Sequence, residues 1–121
     1  MENKIKRTRR KKIKEKYKLL GIVEDHHIIP KSLEKHKLIS ETNFPIHCSK
    51  NIKMMPSIHF NTVSDDILIH TNHPKYNLFI KDKLDEMYET MIKMEDKKLS
   101  IYHFIYELNI KLNYKDLLPW N

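Results

Sequence analysis

Residues 25–30 read Asp-His-His-Ile-Ile-Pro, in which two adjacent histidines lie between an acidic residue and an apolar pair. A buried pair of imidazoles needs partners for four ring nitrogens, so two adjacent histidines require an explanation. Pro30 lacks a backbone N–H, and we predict that it ends a strand over residues 22–29. At such a strand end, both histidine rings can turn toward one site.

Histidines are concentrated around this stretch, because seven of the eight lie between Asp25 and His73. Imidazole is a common ligand for divalent metals and the usual general base near neutral pH. His73 and Asn77 are four residues apart, so on a helix they lie one turn apart on the same face. Two such side chains can bind one ion at a helix N-terminus, where free N–H groups also favour phosphate. Taken singly, a capping His73 and a solvent-facing Asn77 are the simpler interpretations, but the combination with the histidine pair favours a site.

The rest of the sequence predicts a small α+β domain. The predicted elements are a helix over 4–20 that Ile13, Tyr17 and Leu20 anchor, a strand over 22–29, a short helix over 32–38, an irregular loop over 39–50, a strand over 51–55, a helix that opens at His73-Pro74, and a last helix over 101–112 that Ser100 caps. The helix after His73 carries a one-sided apolar stripe of Tyr76, Ile80, Leu84, Met87, Met91 and Met94. We therefore expect a basic arm over 1–20, a core over 21–98 and a C-terminal helix over 99–121 that packs on the core.

Positive charge is concentrated at the N-terminus. Residues 1–18 carry ten Lys/Arg and two Glu, so their net +8 exceeds the +7 of the whole chain. A basic block of this kind attracts polyphosphate by counterion release without reading its sequence. The residues that we expect to contact nucleic acid are Lys6, Arg7, Arg9, Arg10, Lys11 and Lys12. A nuclear-import signal or a solubilising tail is the alternative for the same block.

The composition excludes several classes of protein. No apolar run is long enough to cross a membrane, and no hydrophobic segment follows the charged N-terminus. We therefore expect an intracellular protein, cytoplasmic or nuclear, without a membrane partner. Cys48 is the only cysteine, which excludes a disulfide framework and a Cys-rich zinc knuckle.

Three blocks of the sequence, in order, resemble a known group of nucleases. They are His26-His27-Ile-Ile-Pro, Asn51-Ile-Lys-Met-Met-Pro and His70-Thr-Asn-His73-Pro-Lys-Tyr-Asn77. Together they resemble the HNH/endonuclease VII superfamily, and within it the branch named for an Ala-His-His motif. The resemblance covers residues 22–85 and implies a ββα-metal (His-Me) finger, in which two strands and one helix hold a single divalent ion.

The resemblance assigns roles to individual residues. It implies that His26, His73 and Asn77 are metal ligands. It makes His27 the general base and Asn51 the residue that positions this base.

Two further residues are candidates for the same site. His70 matches a recurrent histidine of the branch, as a phosphate contact or a substitute ligand. Asp25 stands where the branch has Ala and opens a second register, with Asp25 as ligand and His26 as base. The Ile-Ile-Pro spacing favours the first register, because a shift of one residue along a strand reverses the face of each side chain. His59 is expected to be exposed.

The resemblance implies a metal-dependent HNH-type endonuclease that hydrolyses phosphodiester bonds with low sequence specificity, on DNA in preference to RNA. His27 would accept a proton from water, a step worth roughly 10²–10⁴-fold in rate, and the products would carry 5′-phosphate and 3′-hydroxyl ends. The ion would supply positive charge, with Mg²⁺ favoured and Mn²⁺, Zn²⁺ or Ni²⁺ as alternatives.

Two other hypotheses belong to different functional classes. The chain could be a nucleic-acid-binding module without catalysis that holds a structural metal ion, although such sites usually use thiolates. It could also be an inactive nuclease relative that serves as an interaction protein, but the presence of His27 argues against this. A dimer through residues 101–112 is an open alternative to a monomer.

Overall fold

The computed structural model describes the backbone of residues 2–60 and 66–121 and the side chains of residues 9–60 and 66–121. Its regular elements are α1 (Glu2–Lys16), β1 (Val23–His27), α2 (Lys37–Thr42), β2 (Ile52–Pro56), α3 (Pro74–Thr90) and α4 (Met94–Lys111), with short 3-10 turns at Lys31–Leu33 and Ser49–Asn51. The predicted α+β class is confirmed, because the described residues form a two-stranded antiparallel sheet and four helices, as a small ββα core requires. None of the described helices is long and apolar enough to cross a bilayer.

The two strands set the directions of the paired histidines. β1 and β2 are antiparallel, with His26 opposite Lys53 and His27 opposite Ile52. Because successive side chains of a strand point to opposite faces, His26 and His27 have different neighbours. His26 is buried, whereas His27 is half-buried. The two histidine rings therefore lie on opposite faces of β1.

The apolar face of α3 forms the centre of the core. The predicted stripe is confirmed over its first three members, because Tyr76, Ile80 and Leu84 are fully buried. Pro74 occupies the first turn of α3, where its missing N–H costs no hydrogen bond. The residues that pack with this face from the strand ends, α2 and α4 include Ile28, Ile29, Leu38, Ile39, Met55, Ile101, Ile105, Leu108 and Leu112.

The N-terminal helix differs from its prediction at its C-terminal end. It ends at Lys16, before the predicted boundary at residue 20, and Lys18 then adopts a left-handed backbone with φ of 57°. The three apolar residues that were expected to anchor it, Ile13, Tyr17 and Leu20, are 38%, 63% and 51% exposed. That anchoring prediction is wrong, because α1 is held to the sheet by ion pairs instead of by an apolar stripe.

Two other boundaries also differ from the prediction. The short helix expected over 32–38 lies at Lys37–Thr42, so most of it falls in the stretch over 39–50 that was expected to be an irregular loop. It begins there because the His36 side chain accepts a hydrogen bond from the backbone N–H of Leu38. The last helix begins at Met94 and not after Ser100, and two acidic residues in its first turn stabilise that earlier start.

Candidate functional site

Three histidines from separate parts of the chain meet beside β1. His26 comes from β1, His70 from the segment before α3, and His73 from the position that precedes Pro74. One ring nitrogen from each lies within 4.8 Å of the others. The ring centroids are 5.0 to 5.4 Å apart. Such a spacing allows three imidazoles to bind one ion.

Hydrogen bonds fix two of these rings in the tautomer that suits a metal ligand. Nδ1 of His70 donates to the Glu24 carboxylate over 2.6 Å. Nδ1 of His73 donates to Oδ1 of Asn77 over 2.9 Å. A proton on Nδ1 leaves the lone pair on Nε2, and this lone pair is able to bind a cation. Metal-binding histidines usually have an outer partner of this kind.

The third ring, His26, is buried and neutral. Burial, followed by the nearby His70 and His73, lowers the pKa of His26 to about 3. Its Nε2 is buried and has no hydrogen-bond partner among the residues that the structure describes. A buried nitrogen lone pair without a partner is costly, and a bound cation would satisfy it. The three residues therefore fit a divalent metal ion.

An aromatic wall, formed by Tyr76 and Trp120, closes one side of the three-histidine cluster. The Trp120 ring centroid lies 4.8 Å from that of His73 and 5.6 Å from that of His26. Its Nε1 donates to the Thr71 hydroxyl over 2.9 Å, and its carbonyl accepts from the backbone N–H of Tyr76. The Tyr76 hydroxyl in turn donates to the carbonyl of Ile28, directly after β1. These bonds hold α3, the chain end and the strand around the three rings.

His27 faces a different partner, His47, which the sequence analysis did not identify. Nε2 of His27 lies 3.0 Å from Nδ1 of His47, and the two rings are nearly perpendicular. Burial, followed by the neighbouring His47, lowers the pKa of His27 to about 4. The ring is therefore neutral at pH 7. His27 directly follows His26 on β1, so the His27–His47 pair adjoins the three-histidine cluster along the strand but lies on its other face.

Asn51 is fully buried and holds two segments of chain together. Its Oδ1 accepts from the backbone N–H of Ile29 over 2.8 Å, and its Nδ2 donates to the Ile29 carbonyl over 3.0 Å. The same Nδ2 donates to the carbonyl of Ile46 over 2.7 Å. One side chain thus links the residues after His27 to the residue before His47.

Asp25 lies on the same face of β1 as His27 and binds the basic helix. Its carboxylate is 3.1 Å from Nε of Arg10 and 2.8 Å from Nζ of Lys14. Burial alone would raise the pKa of Asp25, but the hydrogen bonds from Lys14 and Arg10 outweigh it and lower this pKa. The carboxylate is therefore ionised and turned away from the three-histidine cluster.

The remaining candidates separate into exposed residues and structural ones. Arg9, Lys11 and Lys12 are exposed on α1, and the side chains of Lys6 and Arg7 lie outside the described residues. His59 is exposed, as expected. His36 has a structural role in the fold, because it caps α2 through Nδ1 and its Nε2 lies 2.6 Å from the Asp85 carboxylate on α3.

Three residues of this region carried no sequence signal. Glu24, His47 and Trp120 belong to none of the three motif blocks, and their contacts join residues that are 20 to 49 positions apart in the sequence. A spacing rule detects ligands on one element, such as His73 and Asn77, but not partners that meet only in the folded chain.

Comparison with known proteins identifies a nuclease family. The model of a nuclease family of the HNH/ENDO VII superfamily, with a conserved Ala-His-His motif (AHH), matches residues 6–112. Neither a curated protein nor a solved structure matches the chain. The matched range includes both strands, α3 and every histidine described above.

Proposed function

The chain belongs to the AHH nuclease family of the HNH/ENDO VII superfamily, and from this premise we propose that it is a metal-dependent endonuclease. In this proposal His26, His70 and His73 hold one divalent ion, and His27 is the general base. The observation that carries the proposal is the buried Nε2 of His26, which has no hydrogen-bond partner among the described residues and lies beside two rings whose Nδ1 atoms are already hydrogen-bonded.

The donor set bears on the choice of ion. The sequence favours Mg²⁺, but Mg²⁺ prefers oxygen ligands, and three imidazoles suit Zn²⁺, Ni²⁺ or another transition ion better. Asn77 is the one oxygen donor of the predicted ligand set, and here its Oδ1 orients His73. We therefore propose a transition ion at the three rings, with Asn77 beside them. When bound, the ion would supply positive charge to the phosphodiester and to its leaving oxygen.

The chain's own residues would perform the proton transfer. His27 is neutral above its lowered pKa, so it is able to accept a proton from the attacking water. A bound phosphodiester is anionic and would raise the pKa of His27, whereas the positive charge of a nearby ion would lower it. Asn51 makes its side-chain bonds to backbone groups, so we propose that it positions the base without touching substrate. The expected products carry 5′-phosphate and 3′-hydroxyl ends.

The basic helix would bring substrate to the His27 face. Asp25 fixes α1 to β1 through Arg10 and Lys14, and this places positive charge near His27. Arg9, Lys11 and Lys12 remain exposed on the same helix and are available to phosphates. These contacts would be made with the sugar–phosphate backbone, so we propose low sequence specificity, with DNA favoured over RNA.

The experiment compares four proteins on supercoiled plasmid and on RNA, with EDTA or with added Zn²⁺, Mn²⁺ or Mg²⁺. They are the parent, His27→Ala, His73→Ala and, as a matched control, His103→Ala, whose histidine is exposed on α4. Metal content is measured on each protein.

We expect the parent and His103→Ala to nick plasmid only with metal. His27→Ala should keep its metal and lose roughly 10²–10⁴-fold in rate, whereas His73→Ala should lose both. Equal cleavage by His27→Ala and the parent would overturn the role of His27. Metal binding without cleavage by the parent would favour the non-catalytic module.

A further inference from the structure

We infer that His47 is a positioning residue for the base: it holds His27 in the tautomer whose Nδ1 carries the lone pair that accepts the proton. This inference rests on the proposed function and deepens it, because it assigns the reactive nitrogen of His27. Neither the sequence pattern nor the family match assigns a role to His47.

The contact between His27 and His47 limits which ring nitrogens can carry a proton. Nε2 of His27 and Nδ1 of His47 are 3.0 Å apart, so one of them donates and the other accepts. If His47 donated, the neutral His27 would carry its proton on Nδ1 and could accept another only on the nitrogen that already faces His47. If His27 donates through Nε2–H, its Nδ1 is free to accept a proton.

The arrangement in which His27 donates to His47 also remains favourable after the proton transfer. Once His27 has taken the proton, both of its nitrogens carry N–H groups, and only a lone pair on His47 keeps the 3.0 Å contact favourable. The bond then becomes charge-assisted and roughly twice as strong as a neutral one. An interaction that strengthens as charge develops on the base lowers the barrier, because it favours the transition state over the ground state.

The fold builds this contact through the loop before β2. The backbone N–H of Cys48 donates to the Pro45 carbonyl over 2.9 Å, so His47 lies in a closed turn. Ile46 anchors the turn in the core, and its carbonyl is bound by Asn51. Asn51 therefore holds the turn that carries His47 against the segment that follows His27.

The test uses two variants of similar size in the full chain, His47→Leu and His47→Asn. Leucine removes the acceptor, while the amide oxygen of asparagine can take the place of Nδ1. The measurements are kcat and KM with metal, metal affinity, and the ¹⁵N chemical shifts of the His27 ring in the metal-free protein. The shifts show directly which ring nitrogen carries the proton.

We expect His47→Leu to lower kcat roughly 10- to 100-fold, as loss of an outer partner does elsewhere, and to leave KM and metal affinity unchanged. His47→Asn should recover most of the loss. In the parent, the His27 shifts should show an unprotonated Nδ1 and a protonated Nε2.

Three results would overturn the inference: a parent-like kcat for His47→Leu, no recovery in His47→Asn, or a proton on Nδ1 of His27 in the parent. The shifts of the parent decide the last point even if a variant does not fold. Absence of metal-dependent cleavage by the parent would refute the proposed function itself, whereas cleavage that is insensitive to His47→Leu would refute only the role of His47.

Discussion

Asn51→Ala should destabilise the protein strongly, because it removes a buried clasp. The side chain makes three hydrogen bonds to backbone groups, two with Ile29 and one with Ile46. Three buried bonds at about 1 to 1.5 kcal/mol each give a loss of about 3 to 5 kcal/mol in the free energy of unfolding. Since small domains have about 5 to 15 kcal/mol in total, this is a large fraction of the stability.

Urea denaturation followed by circular dichroism measures this loss. The matched control is Asn109→Ala, because Asn109 is exposed on α4 and accepts a hydrogen bond from Lys53. We expect the control to change stability by less than about 0.5 kcal/mol. If Asn51→Ala cost less than about 1 kcal/mol and still abolished cleavage, Asn51 would act on substrate and the clasp would be refuted.

The remaining predictions concern the metal, the substrate and pH. Glu24→Ala should lower Zn²⁺ affinity, measured by calorimetry, roughly 10- to 100-fold, because His70 loses its carboxylate partner. The control Glu41→Ala should keep the parent's affinity. If Glu24→Ala bound Zn²⁺ as tightly as the parent, Glu24 would have no role in metal binding. Replacing the exposed Arg9, Lys11 and Lys12 by alanine should weaken DNA binding equally for all sequences. The magnitude of the slope of log affinity against log salt concentration should fall by about 0.9 for each lost phosphate contact. An unchanged slope would show that these three residues do not contact phosphates. The stability of the metal-free protein should fall as pH drops from 6.5 toward 4, by at most about 1.4 kcal/mol per pH unit for buried His26 and less for half-buried His27. Stability falls with decreasing pH because the unfolded histidines bind protons near pH 6.5, whereas the folded ones bind them only near their lowered pKa values. Denaturation midpoints that do not change between about pH 6.5 and 4.5 would contradict this prediction.

Local signals in the sequence were enough to predict the elements that position the site. Pro30 and Pro74 mark where a strand must have ended and where a helix can begin. The buried stripe of Tyr76, Ile80 and Leu84 follows from helical periodicity alone. These features depend on neighbours within a few residues, so they can be predicted from a single sequence.

Other boundaries had no local signal. The break between α3 and α4 falls at Met91–Lys93, without a glycine or proline to mark it. The apolar stripe continued through Met91 and Met94, so periodicity alone predicted one longer helix. Only the packing of α4 on α3 and α2 explains why the chain turns there.

The contacts of the site residues could be identified only in the folded chain. Asp25 is a rival ligand by sequence, but its carboxylate pairs with Arg10 and Lys14 on the face away from the three-histidine cluster. The direction of a strand side chain depends on register with β2, and the ion pairs depend on where α1 lies. Neither is encoded in the spacing of Asp25-His26-His27.

We propose that His26, His70 and His73 together hold one divalent ion. Anomalous diffraction from crystals grown with Zn²⁺ tests it most directly, because zinc can be located without assumptions about its ligands. We predict one strong peak about 2.0 to 2.1 Å from a nitrogen of each of the three rings, with Nε2 of His26 among them. A peak elsewhere, or zinc bound without His26, would show that the three histidines are not the metal site.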